Sequence, residues 1–154
     1  MSIKRENLYL SLLCLSVACL AFAYFVEYVM NLVACPLCIY QRFPCLILIM
    51  LSIISLSSNK NYFSYCFITI LCAILLAGYH SGVERGFFAS SSMCSPLVSI
   101  SDNLSSVDFK KMLYSGHIGT CKKPALVIFG FSMTEWNLLF NAFLLVLLTK
   151  YRKL

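Results

Sequence analysis

The residues Cys35-Pro36-Leu37-Cys38-Ile39-Tyr40-Gln41-Arg42, continued by an apolar run from about Ile39 to Leu56, decide how this chain is built. A run of that length matches a hydrocarbon core of about 30 Å at a rise of about 1.5 Å per residue. Its outer end holds a C-x-x-C cysteine pair. Its first turns hold Gln41 and Arg42, and an ionisable residue inside a membrane span is a functional candidate by default.

Outward from that stretch, further apolar runs lie at about 8 to 26, 62 to 79 and 133 to 149. Hydrophobic residues make up 60% of the chain and charged residues 12%. Soluble globular proteins average roughly 45–50% and about 25%. A soluble fold of 154 residues cannot bury so much apolar surface. The sequence therefore predicts a single-domain, all-α membrane protein. Its architecture is a four-transmembrane-helix bundle with a short first outer loop, about 27 to 38, and a long second one, about 81 to 132.

The net charge of +6 reflects topology rather than nucleic-acid binding. Lys4 and Arg5 precede the first run, Lys60 lies between the second and third, and Lys150, Arg152 and Lys153 close the fourth. Short segments of this kind stay in the cytoplasm, which puts both termini there and the C-x-x-C outside. Arg85, Lys110, Lys111, Lys122 and Lys123 fall in the long loop, and long loops cross regardless of charge. Lys4-Arg5 and Ala21-Phe22-Ala23 imitate a cleaved secretory signal, but the run between them is long for one. A lipoprotein reading of Cys19 fails on Ser16, where a lipobox wants Leu or a similar residue. The long loop, rich in Ser and Gly with Pro96 and Pro124, is expected to be largely irregular, with a short helix over Ser106 to Tyr114.

The nine cysteines divide by location. Cys14, Cys19, Cys45, Cys66 and Cys72 lie within apolar runs, where a thiol acts as a small hydrophobe. Cys35, Cys38, Cys94 and Cys121 lie on the outer side, where disulfides persist. The C-x-x-C spacing suits a redox disulfide or half of a zinc site. Zinc wants two further soft ligands, and Cys94, Cys121, His80 and His117 lack paired spacing, so no metal is expected. As a structural staple so tight a ring constrains the unfolded chain little. Pro36 suits a first helical turn, which sets Cys38 near a helix N-terminus that favours a thiolate. Arg42 follows on the same face about one turn deeper, facing the thiolate or snorkelling to the interface.

The octet at 35–42 resembles the signature of the disulfide-bond formation protein B (DsbB) family of bacterial inner-membrane quinone reductases. Tyr79-His80-Ser81-Gly82-Val83-Glu84 is similar to the stretch that closes the third span in that family. Phe129-Gly130-Phe131-Ser132-Met133-Thr134-Glu135-Trp136-Asn137 resembles its lead-in to the fourth. The resemblance implies a protein-dithiol:quinone oxidoreductase with both termini in the cytoplasm and periplasmic redox loops. It implies that Cys35 and Cys38 pass electrons to ubiquinone or menaquinone, with Cys38 contacting the quinone and Arg42 helping to bind it. It implies that Cys94 and Cys121 form the loop pair that oxidises a periplasmic DsbA-like partner, Cys94 carrying the mixed disulfide. His80 and Glu84 would assist proton uptake at the quinone or serve as interfacial hydrogen-bonding residues. Thr120-Cys121-Lys122-Lys123 departs from the family, whose second loop cysteine often stands between Pro and Asp; the lysines favour a thiolate and alter the partner surface. The competing readings are a non-enzymatic four-span scaffold with two structural disulfides, in which Arg42 has no purpose, and a haem carrier using His80 and His117.

Overall fold

The computed structural model describes residues 3–32, 34–58, 60–88, 121, 124 and 126–153. Cys94, His117 and the expected helix over 106–114 lie outside the described residues. The first apolar run forms α1 (Ile3–Tyr28), 26 residues. It stops where Asn31 turns left-handed (φ 53°) and the Leu32 N–H returns to the Val26 carbonyl at 3.3 Å. Asn takes that conformation at less cost than most side chains.

The second run is two helices, α2 (Pro36–Tyr40) and α3 (Arg42–Ser58), divided at Gln41. Pro44 is the physical cause. It has no N–H to offer the Tyr40 carbonyl, and its ring crowds that carbonyl. Gln41 itself keeps helical backbone angles (φ −68°, ψ −15°), and its N–H donates to the Leu37 carbonyl at 3.0 Å.

α4 (Phe63–Glu84) extends past Tyr79, where hydropathy alone would end the span. Gly86 (φ 77°) stops it. The Phe87 N–H donates to the Gly82 carbonyl at 2.8 Å and the Gly86 N–H to Val83 at 3.2 Å, the paired bonds of a Schellman cap. Carried to Glu84, the helix makes His80 and Glu84 neighbours one turn apart.

Before the last helix a small hairpin stands where the sequence predicts irregular chain. β1 (Val127–Ile128) pairs antiparallel with β2 (Phe131–Ser132), Val127 opposite Ser132 and Ile128 opposite Phe131. Phe129 (φ 54°) and Gly130 (φ 82°) are both left-handed, as a two-residue hairpin turn of the primed kind requires. α5 (Met133–Lys153) follows directly.

α1 lies along α3, α4 along α5, and α3 against α4. At one end Leu8, Tyr9 and Leu12 of α1, Leu48 of α3, Cys66 and Ile70 of α4, and Leu144 and Leu148 of α5 close a common core. The Tyr9 hydroxyl donates to Asn61 Oδ1 at 2.9 Å and accepts the Tyr62 N–H at 3.1 Å, which ties the α3–α4 connection to α1. A second cluster at the other end joins Cys35, Leu37, Val83 and Cys121, with Cys38, Leu76 and Tyr79 against it.

Residues 5–28, 36–58 and 63–84 are long and apolar enough to cross a membrane. Leu10, Phe22, Phe43, Met50, Ile68 and Leu75 point outward from them, an apolar surface that water would not tolerate on this scale. α5 is less apolar in its first half because Glu135, Asn137 and Asn141 fall there. Asn141 is buried, so this polarity faces the bundle interior rather than lipid. The fold is thus mostly helical, an all-α membrane architecture with three candidate spans and a fourth long helix.

Candidate redox-active site

The C-x-x-C begins α2, and the helix start sets its geometry. Cys35 is the N-cap residue, with extended backbone (φ −72°, ψ 160°), and Pro36 opens the first turn. The Cys38 N–H donates to Cys35 Sγ at 3.2 Å, so the cysteine sulfur takes the role that a serine or aspartate oxygen usually plays. The Cys35 thiol in turn donates to Cys38 Sγ at 2.8 Å. A disulfide bond, at about 2.0 Å, needs only a small approach of the two sulfurs. Donation to Cys38 and, second, burial push the Cys35 thiol well up from its ordinary value, against the opposing pull of His80. In the dithiol form Cys35 therefore holds the proton and Cys38 accepts. Cys38 thus lies in the first turn of α2, near the helix N-terminus, and the Cys35 sulfur caps that end.

His80 is 1% exposed and sits beneath this pair. Its Nε2 lies 3.5 Å from Cys35 Sγ and 3.8 Å from Glu84 Oε1. Its Nδ1 lies 3.1 Å from Gln41 Nε2 and 3.3 Å from Thr134 Oγ1. Glu84 is held on both oxygens, by the Thr134 hydroxyl at 2.8 Å and the Ser132 hydroxyl at 2.5 Å. Ser132 also starts α5 through a capping box. Its N–H donates to Glu135 Oε2 at 3.0 Å, and its Oγ accepts the Glu135 N–H at 3.3 Å. Arg85 closes the group, donating from Nε to Glu135 Oε1 at 2.9 Å. One polar network thus runs from the cysteine pair through α4 to the first turn of α5.

Cys121 is buried in the same cluster as Cys35. The ligand atoms of Cys35, His80 and Cys121 all lie within 4.8 Å of one another. These residues are scattered along the sequence, and the fold gathers them. Two sulfurs and an imidazole are ligands zinc accepts. Metal binding would require Cys35 as a thiolate, the form that its contact with Cys38 and its burial disfavour. Close approach of Cys121 to Cys35 is also the arrangement that thiol–disulfide exchange between two pairs needs.

Arg42 does not stand as a bare cation below Cys38. Its Nη1 lies 2.6 Å from Glu27 Oε2, and its guanidinium sits over the Tyr24 ring at 4.8 Å from the centroid. Both partners belong to α1, so Arg42 joins α1 to α3 whatever else it does. Hydropathy makes Glu27 the first residue of a loop, but α1 runs on to Tyr28.

Gln41, Thr134, Asn137, Ser132 and Glu27 are the residues to which the sequence alone assigns no role. Their signal is nonetheless present: polar residues in or beside apolar runs, where each demands a partner.

The chain matches the family of Disulfide bond formation protein DsbB over residues 5–150. It belongs to the DsbB family. It is 29% identical over 151 residues to Disulfide bond formation protein B 1 of Pseudomonas fluorescens (strain Pf0-1), covering 94% of this chain and 86% of that protein. It is 44% identical over 152 residues to an uncharacterized protein of Rickettsia prowazekii (strain Madrid E), covering 95% of this chain and 88% of that one. No solved structure gives a significant match. Membership in the DsbB family makes the chain a membrane-bound oxidoreductase associated with disulfide formation, which speaks against the inert scaffold. Among the described residues, the cysteine pair at the α2 start has a geometry that thiol–disulfide chemistry can use.

Proposed function

We propose that this protein re-oxidises a periplasmic DsbA-like thiol oxidase by disulfide exchange and passes the electrons to a membrane quinone. The observation that carries the proposal is the cluster in which Cys38, Cys35, His80 and Cys121 adjoin at the start of an apolar helix.

The partner dithiol reduces the Cys94–Cys121 disulfide, becoming a disulfide itself; Cys94 takes the mixed bond. The freed Cys121 thiolate attacks Cys35 Sγ, the Cys35–Cys38 bond breaks, and Cys38 leaves as a thiolate. Cys94 then attacks Cys121, which restores the loop disulfide and releases Cys35. Two electrons now reside on the Cys35/Cys38 dithiol. A quinone, ubiquinone or menaquinone, supplies a two-electron acceptor that becomes the quinol on taking up two protons. The residues at this end fit such a group. Cys38 is partly exposed beside the outward-facing Ile39, Tyr40 and Phe43, an apolar rim open to lipid. Arg42 on its Tyr24 ring would bind the polar head, and His80 with Glu84 would move protons to and from the Cys35 sulfur. The Lys and Arg positions support a bacterial inner-membrane location with both termini cytoplasmic.

The test is quinone reduction by the purified protein given a reduced thioredoxin-fold partner, with Cys38→Ser alongside. Turnover should be lost in Cys38→Ser, and turnover retained there would overturn the relay.

A further inference from the structure

We infer that a directional chain of side-chain amides, Asn141 to Asn137 to Gln41, fixes His80 as the Nε2–H tautomer and so aims its proton at the Cys35 sulfur. The polarity of the chain can be read from one end. The Asn137 backbone carbonyl can only accept, and Asn141 Nδ2 donates to it at 2.8 Å. The same nitrogen lies 3.1 Å from Asn137 Oδ1, so the Asn137 amide turns its oxygen toward Asn141. Its NH₂ therefore faces the other way, and donates to Gln41 Oε1 at 2.9 Å. With its oxygen engaged there, Gln41 presents its NH₂ to His80 Nδ1 at 3.1 Å. An amide NH₂ has donors and no acceptor, so Nδ1 must offer a lone pair. A neutral imidazole then carries its proton on Nε2.

The surroundings agree. Thr134 Oγ1 lies 3.3 Å from Nδ1, but its hydrogen is engaged with Glu84 Oε1 at 2.8 Å. A proton on Nδ1 would confront the Gln41 NH₂ hydrogen to hydrogen in a buried site, where an unmade bond costs most. On the other side, Nε2–H has Cys35 Sγ at 3.5 Å and Glu84 Oε1 at 3.8 Å. Gln41, at the boundary of α2 and α3, reaches His80 of α4 with one end of its amide and Asn137 of α5 with the other.

The consequence for the reaction rests on the proposed relay. When exchange leaves Cys35 as a thiolate, Nε2–H donates to that sulfur and steadies it. Gln41, Asn137 and Asn141 touch no reacting atom and act through His80; they are positioning residues.

The test reads the tautomer directly. The chain has two histidines, so a His117→Gln background isolates His80. ¹⁵N NMR of histidine-labelled full-length protein in detergent should show a protonated Nε2 and an unprotonated Nδ1. A protonated Nδ1 would overturn the inference without any further variant. Gln41→Met removes the donor and leaves the Thr134 oxygen as the remaining neighbour of Nδ1, so the proton should shift to Nδ1. Asn137→Leu frees the Gln41 amide to rotate and should give a mixture. An unshifted tautomer in both variants would overturn the chain as its cause. In turnover, Gln41→Met should lower kcat on the order of tenfold with the partner KM unchanged, a modest share of what acid–base groups contribute. Unchanged kcat would overturn the positioning role. If the parent protein shows the expected tautomer but reduces no quinone, the relay fails and the tautomer assignment stands.

Discussion

Glu27→Gln separates two duties that the structure lays on Arg42. The pair Arg42–Glu27 is 2.6 Å long with side chains 14% and 26% exposed. It therefore falls between exposed ion pairs, worth about 0–1 kcal/mol, and buried pairs, whose disruption costs roughly 3–5 kcal/mol. Glutamine keeps the shape and a hydrogen-bond acceptor while removing the charge, and the Tyr24 ring remains under the guanidinium. A loss of about 2 kcal/mol is expected from that intermediate position, about a 30-fold change in the folded-to-unfolded ratio. The loss should appear in reversible unfolding in mixed micelles. In a double-mutant cycle with Arg42→Met, a coupling of about 1–2 kcal/mol is expected. Quinone kinetics give the second axis. Glu27→Gln should leave the apparent quinone KM near that of the parent, whereas Arg42→Ala should raise it. Stability losses that simply add, within about 0.5 kcal/mol, would refute the pair as an α1–α3 clamp. Equal KM values in the parent and Arg42→Ala would leave Arg42 structural alone.

Three further outcomes are expected. The reduced protein should lose stability as pH rises past 9.0, the ordinary thiol value, because unfolded Cys35 gives up its proton while the folded, raised thiol retains it; Cys35→Ala should flatten that slope in pH-dependent unfolding, and an unchanged slope would contradict it. Ser132→Ala should cost about 1 kcal/mol through the lost α5 cap, with slower turnover because Glu84 loses its Ser132 partner, read by unfolding and by kcat. Cys94→Ala should prevent the covalent adduct with a DsbA-like partner on non-reducing gels, and an undiminished adduct would reassign the partner cysteine.

Much of the architecture is legible in the sequence. Four apolar runs announce helices because each is long enough to cross a bilayer, and the C-x-x-C with Pro36 announces a helix start. What the sequence hides has definite causes. Hydropathy ends α4 near Tyr79, but the Schellman cap at Gly86 is a backbone feature that hydropathy does not register, so His80 and Glu84 gain their one-turn relation only in the fold. Pro44 lies in plain view within an apolar run, yet its effect falls on residues before it, dividing the helix at Gln41. Asn137 and Asn141 interrupt the fourth apolar run, and sequence does not tell which face of α5 meets the bundle. Cys121 and Cys35 are far apart in sequence, and nothing local predicts that they share a cluster.

Electrons from a protein dithiol are expected to leave this chain on a quinone. The most direct measurement counts both in one vessel: quinol formed against partner dithiol consumed by the purified protein in detergent without oxygen. One quinol is expected for each partner disulfide, abolished in Cys38→Ser. Partner oxidation without matching quinol would contradict that route.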